Sequence, residues 1–78
     1  METERYVLLN TIDKVKKFVN EIISIDSDVD LLYGRYTLDA KSIMALFSVD
    51  LTEVLKVVIH TDDYEELKRF FELMEDFK

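Results

Sequence analysis

One glycine, Gly34, and no proline punctuate this 78-residue chain. The tight turns that need positive φ are therefore confined to one place. Gly34 sits between two alternating segments, Val29-Leu31-Tyr33 and Tyr36-Leu38. That arrangement predicts a hairpin with Tyr33-Gly34 as its turn, glycine supplying the positive φ. With no proline, no low-complexity tract and no internal repeat, the sequence predicts one domain over residues 1–78 and no linker.

The rest of the pattern is read outward from the hairpin. Tyr6-Val7-Leu8-Leu9 predicts a first strand. Asn10 or Thr11 then caps a helix whose apolar positions are Ile12, Val15, Phe18, Val19, Ile22 and Ile23, spaced by three and four. Asp13 in its first turn suits the helix dipole. Val29, Leu31 and Tyr33 form a half-buried strand, and Arg35 to Leu38 return beside it. Ser42 caps a short helix ending near Ser48. Leu55, Val57 and Ile59 alternate with Lys56, Val58 and His60 in a last strand. Asp62, with Glu65 three residues on, caps a final helix with the stripe Tyr64, Leu67, Phe70, Phe71, Met74 and Phe77. The order β-α-β-β-α-β-α implies an α+β open-faced β-sandwich, a four-stranded antiparallel sheet covered on one face by three helices.

Composition narrows the function classes. A net charge of −7 argues against nucleic acid, because phosphate contacts need clustered cations and only Lys14, Lys16 and Lys17 cluster. The charged start of the chain, Met1-Glu2-Thr3-Glu4-Arg5, has no apolar segment of the secretory kind. No apolar run approaches the roughly 20 residues of a membrane span. The chain has no cysteine, so neither a disulfide nor a thiolate metal site is available, and a cytoplasmic location is expected. Asp26, Asp28 and Asp30 are spaced like the start of a calcium loop, but Leu31 stands where such a loop needs glycine. The single histidine, His60, has no partner histidine or cysteine for a metal site and no serine on its own element for a triad. No metal, no cofactor and no enzymatic activity are expected. The acidic residues Glu65, Glu66, Glu72, Glu75 and Asp76 are read as the solvated face of the last helix.

The short helix after Ser42 is the most promising functional element. Ile43, Met44 and Phe47 are too many large apolar side chains for one and a half turns to bury. They are either core or a protein-binding patch. A serine at a helix start beside such a patch also suits phosphorylation, because added negative charge is favoured there.

The element order, the stretch Asp26 to Leu31 and the sequence Lys41-Ser42-Ile43-Met44 together resemble HPr, the small histidine phosphocarrier of the bacterial sugar phosphotransferase system. The resemblance implies the open-faced sandwich. In that family a histidine in a Gly-x-His-Ala-Arg-Pro loop, just before the first helix, carries the phosphoryl group. Here Thr11 occupies the histidine position and Asp13 the arginine position, and the loop reads as shortened because too few residues precede it for a full first strand.

In Gram-positive members of the family, a dedicated kinase phosphorylates the serine of the short helix, and its apolar neighbours bind the kinase and other partners. The resemblance therefore places regulatory phosphorylation on Ser42 and partner binding on Lys41, Ile43, Met44 and Phe47. Ala45, Asp50 and Val54 depart from the glycines usual in the family at those positions, and Asp50 is placed to oppose a phosphoserine or to alter docking.

The leading expectation is a bacterial, non-catalytic regulatory domain that binds protein partners, either phosphotransferase-system components or a serine kinase. Two alternatives stand beside it. One is a phosphocarrier with an unorthodox acceptor such as Thr11. The other is a homodimer formed through an exposed sheet face where Leu32, Lys56, Val58 and His60 gather.

Overall fold

The computed structural model describes residues 2–78. Its elements are β1 (Glu2–Val7), α1 (Ile12–Ile22), β2 (Asp28–Tyr33), β3 (Tyr36–Asp39), α2 (Ile43–Phe47), β4 (Leu55–His60) and α3 (Tyr64–Met74), closed by a 3₁₀ turn over Glu75–Phe77. The four strands form one antiparallel sheet in the order β1-β4-β2-β3. The strand latest in sequence thus lies between β1 and β2.

Register explains the two faces. Arg5, Val57, Leu31 and Leu38 stand in one row across the sheet, and Glu4, Val58, Asp30 and Asp39 stand in the next. Because side chains alternate along a strand, the first row faces the helices and the second the open side. The core gathers Val7, Val29, Leu31, Leu55, Val57 and Ile59 from the sheet. Helices contribute Val15, Phe18, Ile22, Leu46, Leu67 and Phe70. Phe18 meets Phe77 edge to face, with ring centroids 5.3 Å apart. The result is the expected open-faced α+β sandwich, with the helices on one face of an antiparallel sheet.

Four features differ from the expectation. First, β1 is a full six-residue strand, Glu2–Val7, not a stub at Tyr6 to Leu9. The apolar run Val7-Leu8-Leu9 marks the chain's entry into the core, whereas the strand itself is charged. Arg5 joins the helix side by laying its guanidinium 4.0 Å from the centre of the Phe71 ring. The idea of a loop shortened for want of strand residues is therefore corrected.

Second, the hairpin turn is Gly34-Arg35, since Tyr33 pairs with Tyr36. Gly34 has φ +59° and no other described residue has positive φ, which is the pattern of a II′ turn with glycine first. The third strand consequently starts at Tyr36 and not at Arg35. A Cβ at Gly34 would meet nothing within 4 Å, so only backbone strain opposes substitution. Gly34→Ala is expected to cost about 1 kcal/mol in urea denaturation, and Gly34→Asn less.

Third, α3 is capped by Asp63, not Asp62; the Asp63 carboxylate accepts from the Glu65 N–H at 2.9 Å and from the Glu66 N–H at 3.5 Å. Tyr64, at the first helical position, points to solvent and leaves the expected stripe.

Fourth, Glu66 is not part of a solvated face. It is buried, and its Oε1 accepts from the backbone N–H groups of Asp26 at 2.7 Å and Ser27 at 2.9 Å, with the Ser27 hydroxyl at 3.3 Å. Arg69, one turn on, donates to the Ser24 carbonyl at 3.2 Å and to the Ser24 Oγ at 2.6 Å. These bonds pin the α1–β2 turn to α3.

Candidate functional site

The site is built on the β3–α2 connection, and local hydrogen bonds fix its form. Asp39 ends β3, and its Oδ1 accepts from the Lys41 N–H at 2.9 Å, while its carbonyl accepts from the Ser42 N–H at 3.1 Å. Ala40 is fully buried and donates to the Val29 carbonyl at 3.0 Å. Ser42 has extended φ/ψ of −95° and 115°, and its Oγ accepts from the Ala45 N–H at 3.2 Å, so it is the N-cap that its sequence position implies. At the other end the Ser48 hydroxyl donates to the Ala45 carbonyl at 2.6 Å and stops the helix. Two hydroxyl side chains thus bound a helix of five residues.

A helix that short has one inward position to offer. Leu46 takes it and is completely buried. The other large side chains turn outward: Met44 is 77% exposed, Phe47 46% and Ile43 37%. Together they form an apolar surface on an otherwise highly charged chain.

Lys41 behaves differently. Its ammonium donates to the Ile25 carbonyl at 2.6 Å, the group left open just past the end of α1. The Lys41 side chain therefore ties the entry of α2 to α1 while its neighbours face outward. Asp50, two residues past Ser48, turns its carboxylate back to the Thr52 hydroxyl at 2.6 Å and to the Thr52 N–H at 3.0 Å. Those bonds, the hydroxyl's first, hold the Asp50 carboxyl below the usual carboxylate range. Asp50 is thus ionised at neutral pH.

The start of α1 carries the other residues singled out from the sequence. Thr11 is the N-cap, and its Oγ1 accepts from the Lys14 N–H at 3.1 Å. Asp13 follows in the first turn, exposed to solvent. The Lys14 ammonium reaches back to Asn10 Oδ1 at 3.1 Å. His60 stands on the opposite, open face of the sheet, its Nε2 2.7 Å from Asp30 Oδ2. The sheet itself separates this imidazole from the helices.

Leu32, Lys56, Val58 and His60 do gather on that open face, lining a shallow trough with Glu4, Asp30 and Thr37. Lys56 pairs with Glu4 at 2.8 Å there, and the pairing raises the lysine pKa. Asp30 belongs to this face and not to a metal-binding loop, and the described residues hold no cluster of three or more ligand-type side chains able to bind a metal ion.

Ile12 and Ile23 share the three-and-four spacing of the apolar positions of α1, yet they are 60% and 56% exposed. Val15, Phe18, Val19 and Ile22 alone fill the core-facing arc. One flank of α1 is turned toward α3: Lys17 pairs with Asp76, Phe18 meets Phe77, and Ser24 receives Arg69. Ile12, Lys16, Val19 and Ile23 lie on the other flank. The available signal was arc width: six apolar positions on a three-turn helix subtend more than a sheet can cover.

The fold is similar to two solved structures. A phosphocarrier protein HPr from Bacillus anthracis str. Ames has a TM-score of 0.74 over 99% of this chain and 98% of that chain, at 18% sequence identity. HPr-C-His from Thermoanaerobacter tengcongensis has a TM-score of 0.68 over 95% of this chain and 92% of that chain, at 22% identity. No family model matches the sequence, and a search of curated proteins finds no match. The chain has an HPr-like fold.

Proposed function

We propose that this HPr-like chain is a non-enzymatic, protein-binding regulatory domain that acts through the outward face of α2. The observation that carries the reading is the surplus of exposed apolar side chains on that helix, Ile43, Met44 and Phe47, beside a single buried Leu46. Exposed apolar clusters of this kind, held on a rigid frame, are the usual material of protein contacts. The partners that fit the resemblance are components of the bacterial phosphotransferase system or a serine kinase, in the cytoplasm. Ser42 is the residue such a kinase would modify, exchanging a neutral cap for a dianionic one.

Phosphoryl carriage by the start of α1 has little chemical support. The acceptor position holds Thr11, and a threonine ester is a poor phosphoryl donor beside a phosphohistidine. Asp13 adds negative charge where a phosphate needs a cation.

The test is incubation of the purified chain with the first enzyme of the phosphotransferase system and phosphoenolpyruvate, followed by mass spectrometry at acid and neutral pH. No mass increase of one phosphate is expected. An acid-labile phosphoprotein would sink the reading. A parallel incubation with an HPr-directed serine kinase and ATP is expected to modify Ser42 and to leave Ser42→Ala unlabelled.

A further inference from the structure

We propose that the outer edge of β3 is a self-association surface, occupied by β3 of a second copy of this chain in antiparallel register. β3 lies at one side of the sheet and pairs only with β2. The direction of its backbone groups follows from the hairpin. Tyr33 and Tyr36 flank a two-residue turn, so they exchange hydrogen bonds, and every second residue after Tyr36 turns the same way. Ala40 keeps that rhythm, donating to the Val29 carbonyl at 3.0 Å. Thr37 and Asp39 therefore turn their N–H and C=O groups away from β2. The Asp39 carbonyl accepts from the Ser42 N–H. The Thr37 N–H and carbonyl and the Asp39 N–H have no acceptor or donor among the described residues, and both residues are exposed. No lysine and no proline guards this edge.

Charge selects the occupant. The edge reads Arg35-Tyr36-Thr37-Leu38-Asp39, with a cation and an anion at equal steps from Thr37. Turned about a two-fold axis at Thr37, the segment meets itself with opposite charges: Arg35 faces the partner's Asp39, and Asp39 the partner's Arg35. The same register lets the two Thr37 residues exchange N–H···O=C bonds and brings each Asp39 N–H toward the partner's Arg35. Arg35 is available for this. Arg5 lies on Phe71 and Arg69 is bonded to Ser24, whereas the Arg35 guanidinium has no partner among the described residues. On the helix side, Tyr36 is 60% exposed and comes opposite the partner's Leu38. Leu38 there lines a groove with Tyr33, Ser48 and Val49. An unrelated strand would have to carry the same order of charges; the chain itself carries it. This edge is distinct from the open sheet face around Lys56 and His60 and from the outward face of α2.

A four-residue edge buries less than a standard interface, so the dimer is expected to be weak, with a Kd on the order of 100 μM. Sedimentation equilibrium up to about 1 mM chain measures it, in about 150 mM salt, where the net charge of −7 is screened beyond about 8 Å. Arg35→Glu and Asp39→Lys each set like charges together, and each is expected to weaken the dimer at least about tenfold. Mixed in equal amounts, the two variants have opposite charges at both contacts and are expected to form a heterodimer within about threefold of the wild-type Kd.

A strict monomer at about 1 mM overturns the proposal. So does a dimer that Arg35→Glu leaves intact, which would place association on another face, or a mixture of the two folded variants that stays monomeric. Asp39→Lys also gives up the acceptor of the Lys41 N–H. If circular dichroism shows that variant to be misfolded, Arg35→Glu, which breaks no side-chain bond among the described residues, decides alone. Either outcome leaves the docking reading of α2 as it stands.

Discussion

Leu46→Ala is expected to destabilise the protein by about 3 kcal/mol, and Met44→Ala, two residues earlier on the same helix, by less than about 0.5 kcal/mol. Leu46 is fully buried and is the one core residue of α2, so its truncation leaves a cavity that a five-residue helix cannot close by shifting. Met44 is mostly in water already, so removing it takes away little that folding had gained. Urea denaturation with a common m-value measures both. The contrast is a direct reading of which side chains hold the helix and which are spare for a partner. Comparable losses at the two positions would mean that Met44 packs into the fold, and the apolar docking surface would lose its centre.

Glu66→Ala is expected to cost about 2–4 kcal/mol. One buried carboxylate oxygen receives two backbone N–H groups and a hydroxyl from the α1–β2 turn. Hydrogen bonds to a charged group are worth about 1.5–3 kcal/mol each, and the variant leaves the amides of Asp26 and Ser27 without this acceptor. Glu66→Gln keeps an acceptor at Oε1 and is expected to lose only about 1 kcal/mol. Both variants lose the ion pair between Glu66 and Arg69, whose charged atoms stand 3.8 Å apart, so the difference between them isolates the acceptor at Oε1. Equal stability of Glu66→Ala and wild type in urea would show that water replaces the side chain and that the turn needs no anchor.

Much of this architecture was legible because few residues could play each part. Ser42 was the only hydroxyl placed to start the short helix, and it does cap it. The alternation in Asp28 to Tyr33 and Leu55 to His60 specified two strands whose bounds agree with the structure. Errors arose where neighbouring residues were chemically equivalent.

Asp62 and Asp63 are both good caps, and only the direction of the chain leaving β4 decides between them. Gly34 can serve at either central position of a two-residue turn, and cross-strand register, a tertiary property, selects the first. Glu66 looked like its exposed neighbours because its partners are backbone groups 39 and 40 residues away, which leave no mark in the side-chain pattern. At the candidate site the three apolar residues were visible, but their orientation was not. It depends on which one α2 turns inward, and Leu46 wins that place.

The central position of β4 governs how the chain can become a protein at all. β4 pairs with both β1 and β2, so about fifty residues separate β1 from its only neighbour. On a ribosome β1 would emerge early and wait unpaired, while the β2–β3 hairpin could close locally with nothing beside it. Two such fragments have little sheet between them until Leu55 to His60 arrives to join them. Completion of the sheet is then expected as a single late event, with a closure entropy that slows it relative to a helical bundle of equal size.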